Sequence, residues 1–349
     1  MIRSLFITLL TGLAFVPWSI AGGQEEDLGA SSDVAVASHL NDVQYASHEM
    51  SSVPSLDCEF VCPGWSGSFD YLYLRPRSRG LDFAIPTDGA AQAVGAGAVQ
   101  NVEFDYDTGF RAGLAYIMPS GWEAGFRYTH FETVERATAT APGGGNLWAT
   151  RSHPAFNEEA TSAIASADFE YQVFDLEFGR WIEMNDFTTF RLFGGLRWLN
   201  TNQQLLINYD GDDFSNGIVR QNKKDTGFGV RVGGEGRWSL LGGWSLFAQG
   251  AGTLCYSDSD LRLFETNNSG ANLIVNVTDS FSEPISNIEA AFGASWTCDA
   301  WDIACGYELT NWFNLGSRVT FDDIHEGAYD PTSYDILLDG LFFRVTYVH

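Results

Sequence analysis

The stretch from Thr226 to Tyr256 restricts the fold of this chain more than any other. Phe228, Val230, Val232, Gly234, Gly236 and Trp238 share one parity, and Arg231, Gly233, Glu235 and Arg237 share the other. After a short turn at Leu240–Gly243, Trp244, Leu246, Ala248, Gly250, Gly252, Leu254 and Tyr256 alternate with Ser245, Gln249, Ala251 and Thr253. A period of two means extended strands, because successive side chains leave a strand on opposite faces. One face is apolar or small and the other carries full charges. Tilted spans of roughly 9–11 residues, apolar outside and polar inside, describe a transmembrane β-barrel. A soluble sandwich also alternates, but would seldom place a Trp at each end of the turn.

Composition supports this pattern and excludes others. The chain has 349 residues, a mean hydropathy of −0.10, 14% aromatics and 37 glycines. Alternation hides a barrel from any hydropathy average. A net charge of −26 argues against a nucleic-acid partner, which needs a basic surface. Of the 19 cations only Lys223 and Lys224 are lysines. Arginine suits hydrogen-bonded ion pairs in low dielectric, and a barrel lumen is such a place. The five cysteines (Cys58, Cys62, Cys255, Cys298 and Cys305) make no tidy disulfide framework. Cys58 and Cys62 are close enough for a local bridge, whereas strand phase places Cys255 toward the lumen and Cys305 toward lipid.

Residues 1–21 read as a secretory signal, with Arg3 ahead of an apolar run and Ser19-Ile20-Ala21 at the cleavage position. Residues 22–64 contain eight acidic residues and no Lys or Arg, as expected of a disordered periplasmic tail. Residues 65–349 form the barrel. Candidate strands run over 66–76, 105–118, 122–136, 165–181, 187–200, 221–239, 244–258, 284–297, 301–313 and 335–348. Four connections are short. The rest, 77–104, 137–164, 201–220, 259–283 and 314–334, are long. Strict alternation of short and long is the habit of outer-membrane barrels and puts both termini on the periplasmic side. The expected fold is therefore an all-β, antiparallel up-and-down transmembrane barrel of about ten strands, with eight to twelve allowed.

Trp122, Trp181, Trp238, Trp244, Trp296 and Trp301 all lie beside a short turn and are expected to form a membrane-interface girdle. Trp198 and Trp312 would belong to the opposite one. Parity makes Arg111, Glu123, Arg127, Arg191, Arg197, Arg231, Glu235, Arg237, Glu289, Asp302, Glu308 and Arg344 the pore-lining set. In the fourth strand, Phe169, Tyr171 and Val173 are out of phase with Phe174, Leu176 and Phe178, which a bulge near Val173 would reconcile.

The segments FDYLYLRP (69–76), GFRAGLAYIMPSGWEAGFRYTHF (109–131), FRLFGGLRW (190–198) and GFGVRVGGEGRW (227–238), with the aromatic last strand, resemble the Legionella-type major outer membrane protein family over residues 65–349. That resemblance implies a pore-forming barrel in the outer membrane of a diderm bacterium, without a catalytic signature. The chain departs from the usual terminal Phe by ending in His349, with Tyr347 two places earlier.

The reading that follows is a porin-like protein passing small hydrophilic solutes or ions through a lumen of Arg and Glu. It is no enzyme and needs no cofactor or metal. Its partners are outer-membrane lipid and the permeating solutes, and a homo-oligomer is compatible with the pattern. One alternative is a closed structural or adhesive surface barrel, because around eight strands side chains nearly fill the interior. A second is a barrel protease using outer-loop groups: Asp210, Asp212 and Asp213, or Asp322, Asp323, His325, Glu326 and Asp330. Asp210–Gly217 has some Ca²⁺-loop flavour, but Gln221 stands where the twelfth-position Glu belongs. The discriminating feature is whether the inward charges leave a water path or neutralise one another.

Overall fold

The computed structural model describes residues 63–88, 96–156, 158–321 and 327–349. The signal, nearly all of the acidic tail and the Cys58–Cys62 pair therefore lie outside the described residues. Among the described residues there are fourteen strands: β1 (Gly64–Ser78), β2 (Asp82–Thr87), β3 (Gln100–Asn101), β4 (Asp107–Ile117), β5 (Trp122–Thr140), β6 (Asn146–Ala149), β7 (Glu159–Ala160), β8 (Ser162–Asn185), β9 (Thr188–Gly211), β10 (Phe214–Ser239), β11 (Trp244–Asn267), β12 (Asn272–Cys298), β13 (Trp301–Phe321) and β14 (Tyr329–Val348). Ten of them close into an antiparallel barrel in the order β1-β14-β13-β12-β11-β10-β9-β8-β5-β4. The short β2, β3, β6 and β7 make a separate four-stranded sheet in the order β3-β2-β6-β7.

The ladders fix the barrel's dimensions. From Tyr71, the pairs through β4, β5, β8 and β9 lead to Thr226 on β10, and those through β14, β13, β12 and β11 lead to Trp238 on the same strand. That offset of twelve residues is the shear. Ten strands with this shear tilt by roughly 40° and run roughly 10 Å from the axis. Arginines reaching in from facing walls can therefore meet near the middle.

Several barrel strands are far longer than a membrane needs. β8, β9 and β11 have 24 residues each, β10 has 26 and β12 has 27. Residues 201–220, 259–283 and 314–334, expected as long loops, are largely strand, closing in tight turns at Asp212 and at Asn268–Ser269 with positive φ. The reason lies in the polarity of the two faces. On β9, Phe190, Leu192, Leu196 and Trp198 point outward, a nine-residue belt, and Arg191 and Arg197 point inward. Beyond Trp198 the outward positions are Asn200, Asn202, Gln204, Leu206 and Asn208, four of the five polar, while Leu199, Leu205, Ile207 and Tyr209 are buried inside. Thus the outward parity is apolar within the belt and largely polar above it, and the inward parity changes in the opposite sense. Above the belt water takes the place of lipid, and the strand inverts its pattern without breaking.

This inversion removes the bulge expected near Val173. β8 pairs with β5 and β9 without a register shift there. Phe169, Tyr171 and Val173 are buried inside and Phe174, Leu176 and Phe178 face out, on one regular strand. A real irregularity occurs instead in β13, between Trp312 and Gly316. Asn314 adopts φ 61° there, and Leu315 is driven wholly into the interior.

The small sheet is the lid of that interior. Phe83, Leu147, Val102 and Phe104 are buried with Leu72, Phe131, Leu199, Ile207, Ile285 and Trp312 from the barrel walls. Each such fully buried side chain contributes about 1.5–3 kcal/mol relative to exposure. If the belt ends where the polarity inverts, Val230→Lys, inside it, destabilises the folded protein by about 2–4 kcal/mol. Thr226→Lys, four residues farther along the same outward face, changes stability little. Equilibrium unfolding in lipid vesicles measures both.

Candidate functional site in the barrel interior

Within the belt the inward face is a continuous ion-pair network. Asp70 on β1 is 1% exposed and accepts both Arg344 on β14, through Nε and Nη2 at 2.9 Å each, and Arg111 on β4 at 3.0 Å. Arg111 also forks onto Glu308 of β13 at 3.0 and 2.8 Å. A second group centres on Glu177 of β8 and Glu289 of β12. Arg191 reaches Glu177 at 3.1 Å, and Arg231 joins Glu177 to Glu289. Arg197 bonds Glu289 and holds Asp175 through two bonds of 2.6 and 2.7 Å. Arg127 stands 3.7 Å from Glu177.

Nearer the chain termini, Glu123 accepts Arg191 at 2.6 Å and the Trp181 indole N–H at 2.7 Å. Arg237 pairs with Glu235 at 2.6 Å and with Asp302 at 3.5 Å. All twelve residues expected to line a pore point into the barrel. They neutralise one another across it. Three further carboxylates, Asp70, Asp175 and Glu177, complete the network and were missed. Their signal was alternation with outward aromatics, as in Phe69-Asp70-Tyr71, and the supposed bulge hid it in β8.

Two tryptophans sit differently from expectation. Trp122, Trp238, Trp244, Trp296 and Trp301 face outward around the rim that carries the chain ends and short turns. Trp181 shares the parity of Asp175 and Glu177 and faces in. Its N–H requires an acceptor when buried, and it packs beside Arg191 and Arg237, with guanidinium–ring distances of 5.9 and 5.5 Å. Trp312 is fully buried rather than part of an opposite girdle. It lies under the apolar lid, donates to the Tyr171 hydroxyl at 3.3 Å and faces Arg197. Trp198 is outward and half-exposed.

Above Trp312 the interior turns apolar, and the lid is tied to the walls by polar bonds. Buried Arg151 donates to the Asp82 carbonyl at 2.8 Å, to its carboxylate at 3.1 Å and to Gln221 of β10 at 3.4 Å. Arg318 of β13 pairs with the same Asp82 at 3.1 Å. Burial lowers the proton affinity of the Arg151 guanidinium, and Arg318 beside it acts the same way while Asp82 opposes. The Tyr209 hydroxyl donates to the Phe83 carbonyl, and burial raises its pKa. Lys223, beneath the lid, pairs with Asp225 at 2.8 Å and donates to the Leu315 carbonyl at 2.8 Å.

Among the described residues, cavities of about 50 Å³ at the charged waist, about 30 Å³ under the lid and about 110 Å³ near the short-turn rim hold the interior space. A water needs roughly 10–15 Å³ on such a measure, so each has room for a few waters.

Among the described residues, the outer-loop carboxylates Asp210 and Asp213 accept backbone N–H groups. Asp213 accepts the backbone N–H groups of Glu158 and Glu159 at 3.2 and 3.1 Å, and Asp210 accepts that of Asn216 at 3.1 Å. These bonds shape the turn that suggested a Ca²⁺ loop. Asp322, Asp323, His325 and Glu326 lie outside the described residues. No group of three or more His, Cys, Asp or Glu among the described residues could hold a metal. Cys255 is buried on the lumen side and Cys305 exposed on the lipid side.

A closed ten-stranded barrel with an apolar outer belt, an aromatic rim and a charged interior is a transmembrane barrel of the outer-membrane class. The chain belongs to the Legionella pneumophila major outer membrane protein precursor family, whose model matches residues 58–349. It is therefore an outer-membrane protein. No curated protein matches it. Among solved structures it is similar to the outer membrane protease OmpT from Escherichia coli, at 10% identity and a TM-score of 0.49, covering 82% of this chain and 97% of that one. The toluene transporter TodX of Pseudomonas putida matches at 7% identity and TM-score 0.27, covering 82% and 90%. The outer membrane channel DcaP of Acinetobacter baumannii matches at 10% and 0.16, covering 82% and 96%. At these scores none of them bears on what this barrel does.

Asp70 offers a direct test of the network. Removing one partner of a buried ion pair costs about 3–5 kcal/mol, because the other charge stays buried. Asp70→Asn strands Arg344 and leaves Arg111 with Glu308 alone, so its unfolding midpoint in denaturant falls accordingly. Exchanging exposed Asp258 for Asn leaves the midpoint unchanged.

Proposed function

We propose that the protein is a closed outer-membrane barrel that acts as a rigid surface scaffold, without chemical turnover, and is no general diffusion pore. The supporting observation is that the cross-section is filled at successive levels. Trp181 and its arginine partners occupy the short-turn end, the Arg–carboxylate lattice the waist, and the lid with its apolar core the other end. The long polar-faced strands beyond the belt support the scaffold role. Their hairpin tips are tied together, with Ser269 N–H donating to the Ser215 carbonyl and Asn267 Nδ2 to the Asp213 carbonyl. In this orientation the short-turn rim faces the periplasm and the tips face outward.

A second reading, conduction of small ions, is favoured by one specific observation. The waist is charged rather than apolar, it encloses cavities, and Nε of Arg191 and Arg231 is buried without a partner. Small ions could pass such a lattice if the lid moved, whereas solutes the size of a sugar could not.

Single-channel recording of the refolded protein in a planar bilayer separates these readings. The scaffold reading predicts no discrete steps from protein that is folded by circular dichroism. Reproducible steps in the unmodified protein would overturn it, and their reversal potential in a salt gradient would identify the permeating charge.

A further inference from the structure

Six of the seven lumen arginines are matched to carboxylates by hydrogen bonds, and Arg127 is the exception. Among the described residues its guanidinium makes no hydrogen bond. Its ion-pair partner, Glu177 at 3.7 Å, is already engaged by Arg191 and Arg231. Arg127 borders both the waist cavity and the 110 Å³ cavity nearer the chain termini. Arg191 borders the same lower cavity. Its side chain is 4% exposed and its Nε is buried with no partner.

The lining of that cavity carries four guanidinium groups, of Arg127, Arg191, Arg237 and Arg344, against three carboxylates, Glu123, Glu177 and Glu235. Arg344 is matched by Asp70 and Arg237 by Glu235 and Asp302, which leaves Arg127 without a hydrogen-bonded carboxylate. Small and hydroxylic groups complete the lining, with Ser66 and Ser68 on β1, Gly113 on β4, Gly125 on β5 and Thr346 on β14. The glycines keep the space open: a Cβ at Gly113 would lie 2.6 Å from Ser68 Oγ. At roughly 10–15 Å³ per water, the cavity has room for a tetrahedral oxoanion with some water around it.

We propose that this lower cavity binds a small oxoanion of the phosphate class. Arg127 is its main counter-charge, with Arg191 Nε and the Ser68 hydroxyl as further donors. A buried guanidinium with an incomplete partner is costly, and an oxoanion offers the fork geometry that matches it. The site goes beyond the scaffold reading and does not depend on it, because an anion can enter from the short-turn end of a barrel that conducts nothing.

Isothermal titration of the folded, detergent-solubilised protein with inorganic phosphate, at constant ionic strength, tests the site. Saturable binding of one phosphate per barrel is expected. Arg127→Gln breaks no hydrogen bond and should fold normally; losing one charge-assisted bond weakens phosphate binding about tenfold or more. Ser68→Val, two strands along from Arg127 in the same row of the barrel, fills the cavity without altering any charge and weakens binding likewise. Arg136→Gln, on the outward face of the same strand, binds as the unmodified chain does. Absence of saturable binding, either cavity variant binding normally, or equal displacement of phosphate by chloride would overturn the proposal.

Discussion

The structure depends on one constraint: a charge inside a barrel roughly 10 Å in radius must be paired. Water cannot reach most of the waist, so each guanidinium there needs a carboxylate and each carboxylate a guanidinium. The chain meets this requirement across strands that are distant in sequence. Asp70 on β1 holds arginines from β4 and β14, its neighbours on either side, and Arg231 on β10 reaches Glu177 on β8 and Glu289 on β12. Seven arginines face eight carboxylates in this lattice. The preference for arginine over lysine follows, since a planar fork serves two acceptors at fixed angles and an ammonium does not. The same lattice that allows charges inside the barrel also obstructs it.

A second consequence concerns the halves of each long strand. In the belt the outside is lipid and the interior must be polar; above it the outside is water and the interior can be apolar. The chain follows this change by inverting polarity on a fixed parity, seen on β8 between Val173 and Phe174 and on β9 at Trp198–Leu199. The upper interior is thus a largely apolar core that also holds buried polar pairs such as Lys223–Asp225, completed by β2, β3, β6 and β7 rather than by the barrel strands alone. Closing the top with connecting segments removes the need for long free loops there, and Arg151, Asp82 and Arg318 bind those segments to the wall.

Much of this was legible in the sequence. Strand alternation at Thr226–Tyr256 specifies the architecture, the short and long connections specify the strand number, and inward parity selects twelve of the fifteen charged residues that form the lattice. The failures share a cause. Reading apolar parity as lipid-facing along an entire strand holds only inside the belt, so Phe169, Tyr171 and Val173 suggested a bulge and the upper strands were taken for loops. Trp181 and Trp312 were assigned to girdles because proximity to a strand end is visible in sequence, whereas a hydrogen-bond acceptor for the indole is not. The lid could not be anticipated, since β2, β3, β6 and β7 are two to six residues long, too short to carry a periodic signal of their own.

On the scaffold reading no water-borne solute passes through the interior beyond the charged waist, and a native residue reports on it. Cys255 lies on the lumen side at 2% exposure, while Cys298 is exposed at the short-turn rim. With Cys58, Cys62 and Cys305 replaced by Ser, the rate of modification by a small water-soluble thiol reagent is measured at both remaining positions in the folded, vesicle-embedded protein. A closed interior predicts that Cys298 reacts readily and Cys255 reacts only when the barrel is unfolded. Comparable rates at the two cysteines in the folded state would contradict it.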